Sequence, residues 1–136
     1  MKILIKCIRE SWPKNEQVQL YGLSTIHTCL RQNAEICCLH AGSVIDAVID
    51  SIKAYLTGAR INLFGCWILY EIAIVPRTMP LLRHVEMIKL VQAVQTRFHD
   101  DEILQLATQN VLDLVTKDVE DYKKAKRLGI AEGALS

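Results

Sequence analysis

A pattern that returns every 42 to 43 residues constrains this chain more than any other feature. The segments 18–26, 61–69 and 103–111 align on Gly22, Gly65 and Ala107, at steps of 43 and 42 residues. Tyr21, Phe64 and Leu106 then coincide, as do Ile26, Leu69 and Val111, and further on Cys29, Ile72 and Leu114. Apolar residues three and four apart make each segment an amphipathic helix. A second apolar stripe precedes each copy. Val44, Ile45, Val48, Ile49 and Ile52 form it in the middle unit. Met87, Leu90, Val91 and Val94 match Ile45, Val48, Ile49 and Ile52 at a step of 42, and Met1, Leu4, Ile5 and Ile8 match them at 44. An amphipathic helix pair cannot bury its apolar face alone, so the copies are expected to stack and share one core.

Small residues at the matched positions fit this expectation. Glycine inside a helix costs about 1 kcal/mol relative to alanine. Gly22 and Gly65 are therefore read as sites where a neighbouring helix crosses closely, with Ala107 meeting the same need. Helix signals punctuate the units. Asn33 is an N-cap for a short helix, 34–41, which Gly42 is expected to end. Ser43 then caps the next helix, with Asp46 three residues on. Gly58 suits the C-terminal end of that helix. Pro76 and Pro80 bracket a connection, and Asp100 caps a helix beginning near Glu102. The organisation read from these signals is a single domain over 1–128. It comprises a partial unit 1–32, units 33–75 and 76–116, a capping helix 117–128, and a flexible tail 129–136.

Composition narrows the function classes. Hydrophobic residues make up 51% of the 136 residues, which is enough for a continuous core. Sixteen basic residues against 15 acidic ones leave a formal charge of +1, without the broad field that draws a protein to nucleic acid or anionic lipid. The most apolar stretch, 61–75, includes Asn62 and Glu71 and is shorter than the ~20 residues of a membrane span. The opening MKILIKCIRE has no secretory pattern. Five cysteines without metal-ligand spacing then point to reduced thiols in the cytoplasm or nucleus.

The stretch from Asn33 to Ala73 resembles a complete armadillo repeat. Ala41-Gly42 before the second helix resembles that family's hallmark, as does Gly65, Trp67, Leu69 in the third helix. HEAT repeats are similar in layout. The resemblance implies an all-α, right-handed α-solenoid whose third helices line a concave face. It also implies a scaffold or adaptor that binds a peptide or helix of another protein. The positions that form a Trp and Asn ladder in peptide-binding members fall here on Ser24, Trp67 and Gln109, and on Thr28, Glu71 and Asp113. Only Trp67 keeps the ladder residue, so these six are expected to bind by a different and partly acidic chemistry, suited to a basic partner.

Other constellations carry less. Cys37, Cys38 and His40, with Cys29 nearby, lack a CxxC pair and are expected to be small apolar core groups rather than a metal site. His27, His84 and His99 occupy unrelated positions, and no motif joins them to a nucleophile. No glycine loop matches a phosphate-binding pattern. Asp100-Asp101-Glu102 reads as a cap with favourable N-terminal charge. The chain is therefore expected to be non-catalytic, with no cofactor and no metal. Lys123, Lys124, Lys126 and Arg127 form a basic cluster that offers a weaker nucleic-acid reading. Met1, Leu4, Ile5 and Ile8, lacking a preceding helix in their unit, are expected either to mark the chain as a fragment of a longer scaffold or to be a candidate homo-oligomer end.

Overall fold

The computed structural model describes residues 1–127, with side-chain surroundings through Lys117. Among the described residues the fold is all helix: α1 Lys2–Lys6, α2 Glu16–Gln32, α3 Ala34–Ala54, α4 Ala59–Ala73, α5 Val85–Arg97 and α6 Glu102–Arg127. A π-turn, Cys7–Ser11, extends α1, and a 3-10 turn, Met79–Leu82, precedes α5. α4 is the centre of the packing, with α2 against one side, α6 against another and α3 across a third. α5 packs on α6, while α1 packs on α2 and α3. The core follows the apolar stripes. Ile5, Ile8, Ile45, Val48, Ile52, Met87, Val91 and Val94 are buried in one core with Ile26, Ile68, Leu69, Ile72 and Val111.

One helix-to-helix corner recurs three times. Trp12, Tyr55 and Phe98, spaced by 43 residues, end their helices in the same backbone conformation, with φ of −135°, −125° and −105° and ψ of 53°, 59° and 43°. Three residues on, Asn15, Gly58 and Asp101 stand at the start of the next helix. Seven residues on, a side-chain amide returns to the corner. Gln19 Nε2 donates to Trp12 O at 3.1 Å, Asn62 Nδ2 to Tyr55 O at 2.9 Å and Gln105 Nε2 to Phe98 O at 2.9 Å. The last carbonyls of a helix have no intrahelical donor. These amides supply one and fix the angle at which the second helix leaves.

The corner sets the register of the third unit at 43, one residue off the expected 42. Leu104, not Ile103, takes the place of Ile61: Leu104 is fully buried and Ile103 is 60% exposed. Thr108, not Ala107, takes the place of Gly65, and its hydroxyl donates to Leu104 O. A slip of one residue turns a helical side chain by about 100°, and apolar letters alone do not detect it when Ile103 and Leu104 are adjacent. The step of 44 at α1 has a different cause. Trp12 N bonds to Cys7 O, five residues back, so the π-turn absorbs one extra residue between Ile8 and the corner.

The close crossings hold in two of the three units. A Cβ on Gly22 would overlap Ile8 Cγ2. One on Gly65 would lie 3.1 Å from Ile52 Cδ1 and 3.3 Å from Val48 Cγ1. Ile8 and Ile52 are equivalent residues, so this is one contact made twice. Thr108 shows that the third unit leaves more room.

The boundaries are partly as expected. Asn33 Oδ1 accepts from Glu35 N at 2.9 Å and from Ile36 N, capping α3. Gly42 does not break that helix, and Ser43 caps nothing: α3 runs unbroken from Ala34 to Ala54. Gly42 lies on the exposed face while Ala41, Val44 and Ile45 keep the buried stripe continuous, so its propensity cost is outweighed. Gly58 begins α4 rather than ending α3. Asp101, not Asp100, caps α6, accepting from Leu104 N at 3.0 Å. The segment expected as a separate capping helix from 117 continues α6 to Arg127. The side chains of the basic cluster 123–127, and the tail 129–136, lie outside the described residues.

Candidate binding groove

The ring cluster on α4 gives the site its floor. Phe64 and Trp67, three apart on one helical face, meet edge to face with centroids 5.3 Å apart and planes at 90°. His27, from α2, stacks on Trp67 at 5.6 Å with planes 27° apart, and meets the edge of Phe64 at 6.3 Å. Trp67 is half-buried. Beside this cluster a groove of about 360 Å³ opens between three helices. α2 contributes His27 and Arg31, α4 contributes Trp67, Tyr70 and Glu71, and α6 contributes Ala107 and Asn110.

Glu71 is one turn beyond Trp67. Its Oε1 lies 3.8 Å from His27 Nε2, and both side chains are mostly covered. Burial raises the Glu71 carboxyl above the usual carboxylate range, with Arg31 pulling it partly back. Burial lowers the His27 imidazole, and the Arg31 guanidinium lowers it further. At neutral pH the histidine is therefore an uncharged ring, and the 3.8 Å approach is not a full ion pair. The groove thus holds a carboxyl group, the Arg31 guanidinium and a partly exposed aromatic face side by side.

The expected site residues divide. Trp67 and Glu71 line the groove. Ser24 and Thr28 do not; Thr28 Oγ1 donates back to Ser24 O at 3.1 Å along α2. Gln109 and Asp113 lie outside it. Gln109 Nε2 donates to Asp113 Oδ1 at 2.7 Å, and Gln109 Oε1 accepts from Gln95. Their displacement follows from the register: 43 residues beyond Trp67 stands Asn110, which lines the groove, and 43 beyond Glu71 stands Leu114. Sequence reasoning missed His27, Arg31, Tyr70 and Asn110. The spacing of four between His27 and Arg31, like that between Trp67 and Glu71, was the available signal.

The candidate oligomer end changes as well. Ile5 and Ile8 are buried inside the chain, and Met1 and Leu4 are half-buried against the core. The exposed apolar residue of α1 is Ile3.

All five cysteines are free thiols. Cys37 is buried with Sγ 3.7 Å from Thr78 Oγ1, and burial raises its pKa; Cys66, more deeply covered, is pushed up to about 12. Among the described residues no three His, Cys, Asp or Glu side chains converge as a metal site, and no helix is long and apolar enough to cross a membrane. Comparison with protein-family profiles, with curated proteins and with solved structures finds no match to this chain.

Proposed function

We propose that the chain is a non-catalytic protein-binding module of armadillo type, a short right-handed solenoid that holds a segment of another protein across α2, α4 and α6. The thrice-repeated corner supports the solenoid reading, because stacked units need the same exit angle at each step. The observation that carries the binding reading is the groove to which all three helices contribute, with half-exposed Trp67 beside Glu71. A large, rigid aromatic face is an economical anchor for a partner. Glu71 on the groove wall supports a basic side chain as its partner. The free thiols suit a reducing compartment, cytoplasm or nucleus.

The test compares proteins captured by the wild type with those captured by a Glu71→Lys, Asn110→Lys variant. Both changes lie on the groove wall and replace no member of the ring cluster. Loss of specific partners from a variant with unchanged circular dichroism supports the reading. An unchanged partner set with the fold intact overturns it.

A further inference from the structure

Equivalent residues in the three units differ in what covers them. Leu20, Leu63 and Leu106 are spaced by 43 residues, in α2, α4 and α6. Leu20 is 8% exposed, Leu63 is half-buried and Leu106 is 65% exposed. Exposure rises from α2 through α4 to α6. At the opposite side, Ile3 on α1 matches Ala47 on α3 at the step of 44. Ala47 is fully buried, whereas Ile3 is 80% exposed. Two faces that are covered inside the chain are thus open, one on α1 and one on α6.

Their borders carry opposite charge. The groove beside α1 is bordered by Lys2, Lys6 and Arg9 against a single carboxylate, Glu10. Arg9 is held by Asp50 at 3.0 Å, which leaves Lys2 and Lys6 as exposed ammonium groups. The corner that opens α6 carries Asp100, Asp101 and Glu102 against Arg97, whose guanidinium is bound to Leu56 O at 3.1 Å, and His99, whose Nε2 lies 3.2 Å from Asp100 Oδ2. Ile103 continues the apolar surface there toward Leu106.

We infer that copies of this chain associate head to tail, the α6 face of one copy against the α1 face of the next, in the manner of successive units within one chain. The occupant of each face is a second copy because the two faces complement each other in charge and both present aliphatic side chains at unit-stacking positions. Such a contact is heterologous: each copy uses two different surfaces, so association continues past the dimer unless the rotation closes a ring. The inference rests on the faces of α1 and α6 and does not depend on the partner-binding reading.

Sedimentation velocity over a concentration series at low salt tests it. The wild type is expected to rise above 15.4 kDa with concentration and to continue past twice that mass. An Ile3→Asp variant and a Leu106→Asp variant should each remain monomeric. An equimolar mixture of the two retains one intact face on each molecule and should give a dimer and nothing larger. A charge-reversal pair, Lys2→Glu with Lys6→Glu and Asp100→Lys with Glu102→Lys, keeps the Asp101 cap and repeats the test if an apolar variant misfolds. Each charge variant alone should associate about tenfold more weakly or worse, and mixing the two should restore association, because both the reversed pair of faces and the unreversed pair are again opposite in charge. A wild type that stays monomeric at every concentration overturns the inference. So does one that stops at a dimer, or whose association survives either apolar substitution.

Discussion

Gly65 and Gly42 both lie inside helices, yet alanine should act on them in opposite directions. At either site alanine removes the conformational entropy penalty of glycine, a gain of about 0.5–1 kcal/mol. At Gly42, in mid-α3 on the exposed face, an added Cβ meets nothing within 4 Å, so the whole gain should appear. At Gly65 the Cβ would meet Ile52 Cδ1 at 3.1 Å, and Ile52 Cγ1 and Val48 Cγ1 at 3.3 Å each. Ile52 and Val48 are fully buried and β-branched, with little freedom at χ1. Inserting a methyl into such packing costs about 1–3 kcal/mol. The expected net for Gly65→Ala is a loss of about 1 kcal/mol, against a gain of up to about 1 kcal/mol for Gly42→Ala. In a chain of this size that separates the melting temperatures by several degrees. Urea unfolding followed by helical circular dichroism measures both variants in one buffer. If Gly65→Ala stabilises as much as Gly42→Ala, then the close approach of α3 and α4 is not what keeps residue 65 small, and the packing argument fails.

Three further outcomes follow from the same geometry. Gln19→Ala removes the donor to Ile8 O and Trp12 O and the acceptor for Ser51 Oγ, leaving buried polar groups unpaired; a loss of about 2 kcal/mol or more is expected in chemical unfolding. His27 in the folded chain resists the proton that the unfolded chain accepts near pH 6.5, so stability should fall as pH drops through that value, and His27→Phe should flatten that part of the profile. Glu71 acts in the opposite sense: its raised pKa withdraws stability as pH rises above 4.5. The Cys66 thiol, pushed up to about 12, should resist a thiol reagent in the native protein and react only on unfolding, whereas half-buried Cys7, Cys29 and Cys38 react first; early labelling of Cys66 would contradict its burial.

The helical class, the Asn33 cap, the buried stripes and the two tight glycine crossings were legible in the residues alone. Each is encoded by local spacing: apolar side chains at three and four, a cap one residue before a helix, a glycine where helical propensity alone would favour another residue. The recurring apolar spacing was legible because two helix types carry it together. Its register in the third unit was not. Ile103 and Leu104 satisfy the same apolar pattern, and only the packing of α6 on α4 and α5, with Gln105 bonded to the Phe98 corner, decides between them. That one residue moves the groove wall from Gln109 and Asp113 to Asn110. The continuity of α3 through Gly42 was likewise a tertiary decision, since burial on both sides of the glycine outweighs a propensity that favours stopping. His27 beside Trp67 and Glu71 is the clearest case: 40 residues separate His27 from Trp67 in sequence, and nothing local relates them. Sequence sets which face of each helix is apolar. Packing sets how far each helix is turned toward its neighbours, and the groove consists of what that rotation exposes.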